Sequence, residues 1–171
     1  MAQRLAAELA AETDETVNLS IPGVDSMVTV GEVPSTYELR VSQSIGSTDP
    51  FHSSAVGKLH LATLGDAALE ATLDRIELTD FTTRTIIDRD ALRAELARIR
   101  VAGYSTNIGE QREGISAFAL PLSLRDSLGR PLLMSLTAPS ARWSPERIDA
   151  HVGELLHRLE PYLDRVARPA G

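Results

Sequence analysis

Pro131-Leu132-Leu133-Met134-Ser135-Leu136-Thr137-Ala138 alternates without a break. Leu132, Met134 and Leu136 point one way while Leu133, Ser135 and Thr137 point the other, the period of a strand. Upstream, Gly114 to Leu122 is apolar on both faces and predicts a central strand. Leu124 to Arg130 joins the two and carries Asp126-Ser127-Leu128-Gly129, a hairpin connection. Further out, Val17, Leu19 and Ile21 alternate with Asn18 and Ser20 up to a Pro22-Gly23 turn. Met27 to Val33 predicts a second strand, Tyr37 to Ser42 a third, and Tyr104 to Ile108 a short one; Gly46 to Pro50 reads as loop. Helical spacing covers residues 2–12 (Leu5, Leu9), Ser53 to Gly65 (Ala55, Leu59, Ala62) and a helix capped by Asp66 (Leu69, Leu73, Ile76). Asp88 opens another (Leu92, Leu96, Ile99), with Gly103 suited to its C-terminal cap. Ser144-Pro145-Glu146 caps one long amphipathic helix whose stripe runs from Ile148 through Leu163 and Val166 and ends at Pro169. The sum is one α/β (α+β) domain. Its mainly antiparallel sheet is flanked by mid-chain helices on one side and terminal helices on the other.

The 171 residues suffice for one sizeable core, and 43% hydrophobic with 24% charged is ordinary for a globular chain. A net charge of −7 repels phosphate backbones, which argues against nucleic-acid binding by this chain. There is no cysteine, so thiolate nucleophiles, thiolate metal sites and disulfides are excluded. No apolar run approaches the roughly 18 residues of a membrane span, and the N-terminus lacks a signal-peptide core. A cytoplasmic location and no membrane contact are expected.

Pro50-Phe51-His52-Ser53-Ser54-Ala55-Val56-Gly57-Lys58 reads as a loop turning into a helix. The first turn of such a helix exposes backbone N–H groups that attract anions. Ser135 and Thr137 put two hydroxyls on one sheet face, and Ile115 and Ala117 share a face of the neighbouring strand, where small residues leave a hole. Together they describe a mostly apolar cup with a few convergent polar groups. Spacing alone also allows both hydroxyls to face solvent. Such a cup suits a small carboxylic acid, a short oxo-acid or an aromatic acid. At 4% aromatic, a stacking cage for a large planar ligand is not expected.

Other chemistries have less support. Ser53 or Ser54 beside His52, with Asp49 near, superficially resembles a nucleophile and base. Adjacent residues rarely reach that geometry, and no Gly-x-Ser-x-Gly elbow exists, so no catalytic residue is assigned. His52 reads instead as a structural residue that hydrogen-bonds its loop. His52 and His60 are eight apart and His151 and His157 six apart, spacings that make no metal motif; neither metal nor cofactor is expected. Lys58, the only lysine among 17 basic residues, reads as a helix-surface lysine. Arg125, Arg130, Arg142 and Arg147 read as solvated surface.

The ordered set around this chain resembles the C-terminal effector-binding domain of IclR-type bacterial transcriptional regulators. Besides Pro50 to Lys58 it comprises Leu78-Thr79-Asp80-Phe81-Thr82, Arg100-Val101-Ala102-Gly103-Tyr104-Ser105-Thr106-Asn107, Glu113-Gly114-Ile115-Ser116-Ala117 and Ser135-Leu136-Thr137-Ala138-Pro139. The resemblance covers Asp14 to Ala167 and implies a GAF-like architecture with an effector between the sheet and the loop entering the helix. By that likeness, the amides of Ala55 and Val56 hold a carboxylate, and Ser135 and Thr137 match a Ser-x-Ser pair that bonds the ligand. Asn107 stands where Asp is common, Ala117 where Cys or another small residue is common, and Val41, Ile45 and Ile115 where apolar wall residues are expected. An uncharged Asn107 suits a negative ligand group better than Asp. Residues 1–13 would be the end of a linker helix and 14–168 the effector-binding domain, assembled as a homodimer or homotetramer. DNA would be met only through a helix-turn-helix domain for which this chain has no room. A free-standing GAF-like ligand-binding module without a DNA partner is the alternative.

Overall fold

The computed structural model describes residues 1–166. Its elements are α1 (Ala2–Thr13), β1 (Thr16–Pro22), β2 (Ser26–Val33), β3 (Thr48–Pro50), α2 (Ala55–Thr63), α3 (Asp66–Arg75) and α4 (Arg89–Ala102). They continue with β4 (Ser105–Ile108), β5 (Ile115–Arg125), β6 (Pro131–Pro139) and α5 (Pro145–Leu159), then a 3-10 turn at Glu160–Tyr162. The strands form one six-stranded sheet in the order β3-β2-β1-β6-β5-β4, antiparallel throughout.

The alternation of β6 divides the molecule as its sequence predicts. Met134 and Leu136 join Val17, Leu19, Phe118 and Leu120 in a core closed by α1 and α5. Leu133 joins Ala117 and Ala119 in a second core under α2, α3 and α4. Burying an apolar side chain contributes roughly 1.5–3 kcal/mol against about 1 kcal/mol for a cap. The buried stripe of Ile148, Val152, Leu155 and Leu159 therefore holds α5 in place more than its Ser144 cap does. Three of the predicted caps are present: Asp88 accepts from Ala91 N at 2.8 Å, Ser144 accepts from Arg147 N at 3.3 Å, and Gly103 ends α4 at φ 80°. Among the described residues no helix is long and apolar enough to cross a membrane.

Four expectations need correction. Tyr37 to Ser42 is not a strand; the third strand is Thr48–Pro50, inside the segment read as loop, paired with β2 through Met27 and Asp49. In place of a strand ladder, backbone groups of this segment bond to side chains: Val41 O accepts from Thr16 Oγ1 at 2.5 Å, and Gln43 N donates to Glu32 at 2.6 Å. The last helix ends at Leu159, because Pro161 has no N–H to continue the ladder. Leu163 then bridges to Leu122 as extended chain, and the expected end at Pro169 lies outside the described residues. Asp66 is the first helical residue of α3, whose cap is Gly65. Arg142 is not solvated surface: it forks onto the buried Glu15 at 2.6 and 2.8 Å and lies 4.2 Å over the Tyr37 ring.

Candidate functional site

Small and polar residues line the α2 side of the sheet. Asn107, Ala117, Thr137 and Thr16 stand side by side across β4, β5, β6 and β1; Ser105, Ala119, Ser135 and Asn18 form the next row. The alanines let α2 come close, and the Ser105 hydroxyl donates to Ala55 O. Gly57 permits the same approach on the other side: a Cβ there would stand 2.5 Å from the backbone of Pro50 and Phe51.

A cavity of about 100 Å³ remains between those rows and the start of α2. Ser54 caps the helix, its hydroxyl accepting from Gly57 N at 3.0 Å and donating to Pro50 O at 2.7 Å, while Lys58 N donates to Ser54 O. The amides of Ala55 and Val56 make no hydrogen bond among the described residues. Asn107 Oδ1 accepts from Glu110 N at 2.8 Å, which leaves its NH₂ group for the cavity. The Ser135 and Thr137 hydroxyls are buried against the cavity rather than turned to solvent. Donors thus converge from α2, β4 and β6 on one small volume.

Val41, Ala55, Val56, Asn107, Ile115, Ala117, Ser135 and Thr137 all border this cavity. Ile45 does not; it is 69% exposed, in a turn closed by Ser47 N donating to Ser44 O. The lining also includes Gln43, Asp49, Gln111 and Arg112, which sequence reasoning missed. They lie in loops or on a three-residue edge strand, where no periodicity reveals which way a side chain points.

Two further residues depart from or match expectation beside the cavity. Lys58 is buried rather than on the surface: Nζ meets both Glu110 oxygens at 2.6 and 2.7 Å and Glu95 at 3.4 Å. Burial pushes the Glu110 carboxyl above its ordinary value against the pull of Lys58. Burial acts on Glu95 too, but Arg98 and Lys58 outweigh it and hold that carboxyl low. His52 is structural as expected but bonds the loop after α3 rather than its own, through Nε2 to Thr79 O at 2.9 Å, and stacks on Phe81. Burial, with the Lys58 charge adding to it, lowers its pKa. Its ring is not paired with Ser53, whose hydroxyl has no partner among the described residues, so no nucleophile and base are assembled. No three His, Cys, Asp or Glu side chains gather in metal-binding geometry among the described residues.

Residues 1–166 match the family model of the bacterial transcriptional regulator IclR C-terminal domain. The chain belongs to the IclR family. This IclR domain is 34% identical over 149 residues to the regulator KdgR of Escherichia coli K12, covering 86% of the chain and 56% of the relative. It is 35% identical over 159 residues to the regulator Rv1719 of Mycobacterium tuberculosis, covering 93% and 58%. The chain thus spans about half the length of the curated relatives it matches. They are transcriptional regulators, not enzymes. The crystal structure of the C-terminal domain of E. coli KdgR aligns with TM-score 0.77 at 31% identity, covering 92% of this IclR domain and 90% of that chain. Thermotoga maritima IclR aligns with TM-score 0.82 at 26% identity, covering 93% and 64%. The α+β architecture is therefore that of IclR C-terminal domains.

Proposed function

We propose that this domain binds a small organic acid in the cavity between α2 and the sheet. Binding then favours one arrangement of the subunits of a homodimer or homotetramer. Through that arrangement it alters the DNA affinity of a full-length cytoplasmic regulator, whose linker helix ends in residues 1–13 and whose effector domain is residues 14–168. The reading rests above all on the convergence of donors that the protein leaves unused: the Ala55 and Val56 amides, the Asn107 NH₂ and the two β6 hydroxyls. Amides at a helix N-terminus suit a carboxylate, and Val41, Ile115 and Ala117 suit its carbon chain. A switch requires an effector that binds two states unequally.

Thermal-shift measurements against a panel of small organic acids, on the wild type and on Ser135→Ala/Thr137→Ala, test the site. The expected outcome is a stabilising acid whose effect is lost in the double variant. An acid that stabilises both proteins equally places the site elsewhere. Mass by light scattering with and without the acid tests the change of assembly.

A further inference from the structure

The cavity contains a carboxylate that makes no ion pair among the described residues, with Arg112 the one cationic side chain in the lining beside it. Asp49, at the centre of β3, is 4% exposed and borders the cavity. Gln43 Nε2 reaches its two oxygens at 2.7 and 2.9 Å, and Gln111 Nε2 reaches Oδ1 at 3.1 Å. Gln43 is held in that orientation from behind, because its Oε1 accepts from Asn18 Nδ2 at 3.1 Å. Asp49 makes no ion pair among the described residues, and burial raises its pKa despite both glutamines. The protein compensates this charge only in part.

A carboxylate accepts about four hydrogen bonds. The two glutamines cover Oδ1 twice and Oδ2 once, and Oδ2 keeps capacity for a donor. A bare acid placed against the α2 amides would seal that oxygen from water with nothing in exchange, and would set two carboxylates in one small volume whose lining offers one cation, Arg112. Both effects oppose binding. An acid that also carries a donor group satisfies Oδ2 and screens the two charges from each other. We infer that Asp49 is a specificity-determining residue of this cavity, selecting carboxylic acids that carry a hydrogen-bond donor, a hydroxyl or an ammonium, over bare acids of equal length. The inference deepens the proposed function and rests on it.

Matched acids provide the test. Butanoate, its 2-, 3- and 4-hydroxy derivatives and 2-aminobutanoate, with the same series on six carbons, are titrated into the wild type and into Asp49→Asn. In the wild type at least one donor-bearing acid should bind about tenfold or more tighter than the bare acid of its length. In Asp49→Asn, whose side-chain oxygen satisfies the glutamines and whose NH₂ faces the ligand, that ratio should fall towards one. A role confined to holding Gln43 and Gln111 would move stability and leave the ratio unchanged, which overturns the inference. So does equal binding of bare and donor-bearing acids by the wild type, a result that leaves the acid site itself standing. Binding of no acid in either series removes both. The preferred derivative separates hydroxyl from ammonium. If Asp49→Asn does not fold, Asp49→Ser carries the same comparison with the wild type.

Discussion

Gly57 is where α2 passes closest to another backbone, and any Cβ there meets the Pro50 and Phe51 main chain at 2.5 Å. Backbone cannot rotate out of the way as a side chain can. Gly57→Ala is therefore expected to cost about 2 kcal/mol or more in urea denaturation and to weaken acid binding by displacing the Ala55 and Val56 amides. The neighbouring Lys58 carries a different constraint. Its ammonium is 1% exposed and relies on Glu110. Removing one partner of a buried pair strands the other charge, whereas replacing both with apolar groups need not destabilise. Glu110→Gln should lose about 3 kcal/mol, and Lys58→Met/Glu110→Leu should recover a large part of it, both read from denaturation midpoints. A double variant as unstable as the single one would show that the ion pair matters for something beyond its own charge balance.

Helix α2 also carries the clearest pH signature. His60 packs on Phe51 at 5.1 Å between ring centroids, and its Nδ1 is buried without a partner among the described residues. Burial lowers its pKa to about 4. In the unfolded chain the imidazole takes a proton near 6.5, while the folded protein accepts it only near 4. Folding stability is therefore unaffected above about pH 6.5 and falls as pH drops from there towards 4, by about 3 kcal/mol in all. His60→Gln should flatten that limb in urea denaturation repeated across the pH range; an unchanged limb would assign it to other groups. Among strands, alternation identified β1 and β6, an unbroken apolar run identified β5, and β2 and β4 were also found, because each has a face in a core. Alternation failed at the sheet edge. Tyr37, Leu39 and Val41 alternate, yet Leu39 is 74% exposed and its carbonyl accepts from Arg142. The pairing that makes Thr48–Pro50 a strand comes from β2, remote in sequence, and three residues are too few to show a period.

The two cores lie on opposite faces of one sheet, and the α2 face interrupts its apolar lining with Thr16, Asn18, Ser135 and Thr137. An acid bound there is expected to stabilise the entire domain, by about 2.7 kcal/mol at 100 times its dissociation constant. For a chain of this size that is a rise in Tm of roughly 5–10 °C, the amplitude to expect in the thermal-shift measurement. Local chemistry along the chain was enough for the existence of the five helices, the caps of α4 and the start of α5, five of six strands and the division of β6 into an apolar and a polar face, because burial periodicity and capping act over a few residues. Likeness to the IclR family added Ala55, Val56 and Asn107 to the expected cavity. Ile45, Asp49, Gln111 and Lys58 needed the folded chain. Ile45 stands exposed in the turn between Ser44 and Ser47. Asp49 and Gln111 are 62 residues apart and became partners only through the sheet. Lys58 looks like any helix-surface lysine until Glu110, 52 residues on, arrives to neutralise it. Charge pairing and edge pairing depend on groups distant in sequence, and no window along the chain contains both partners.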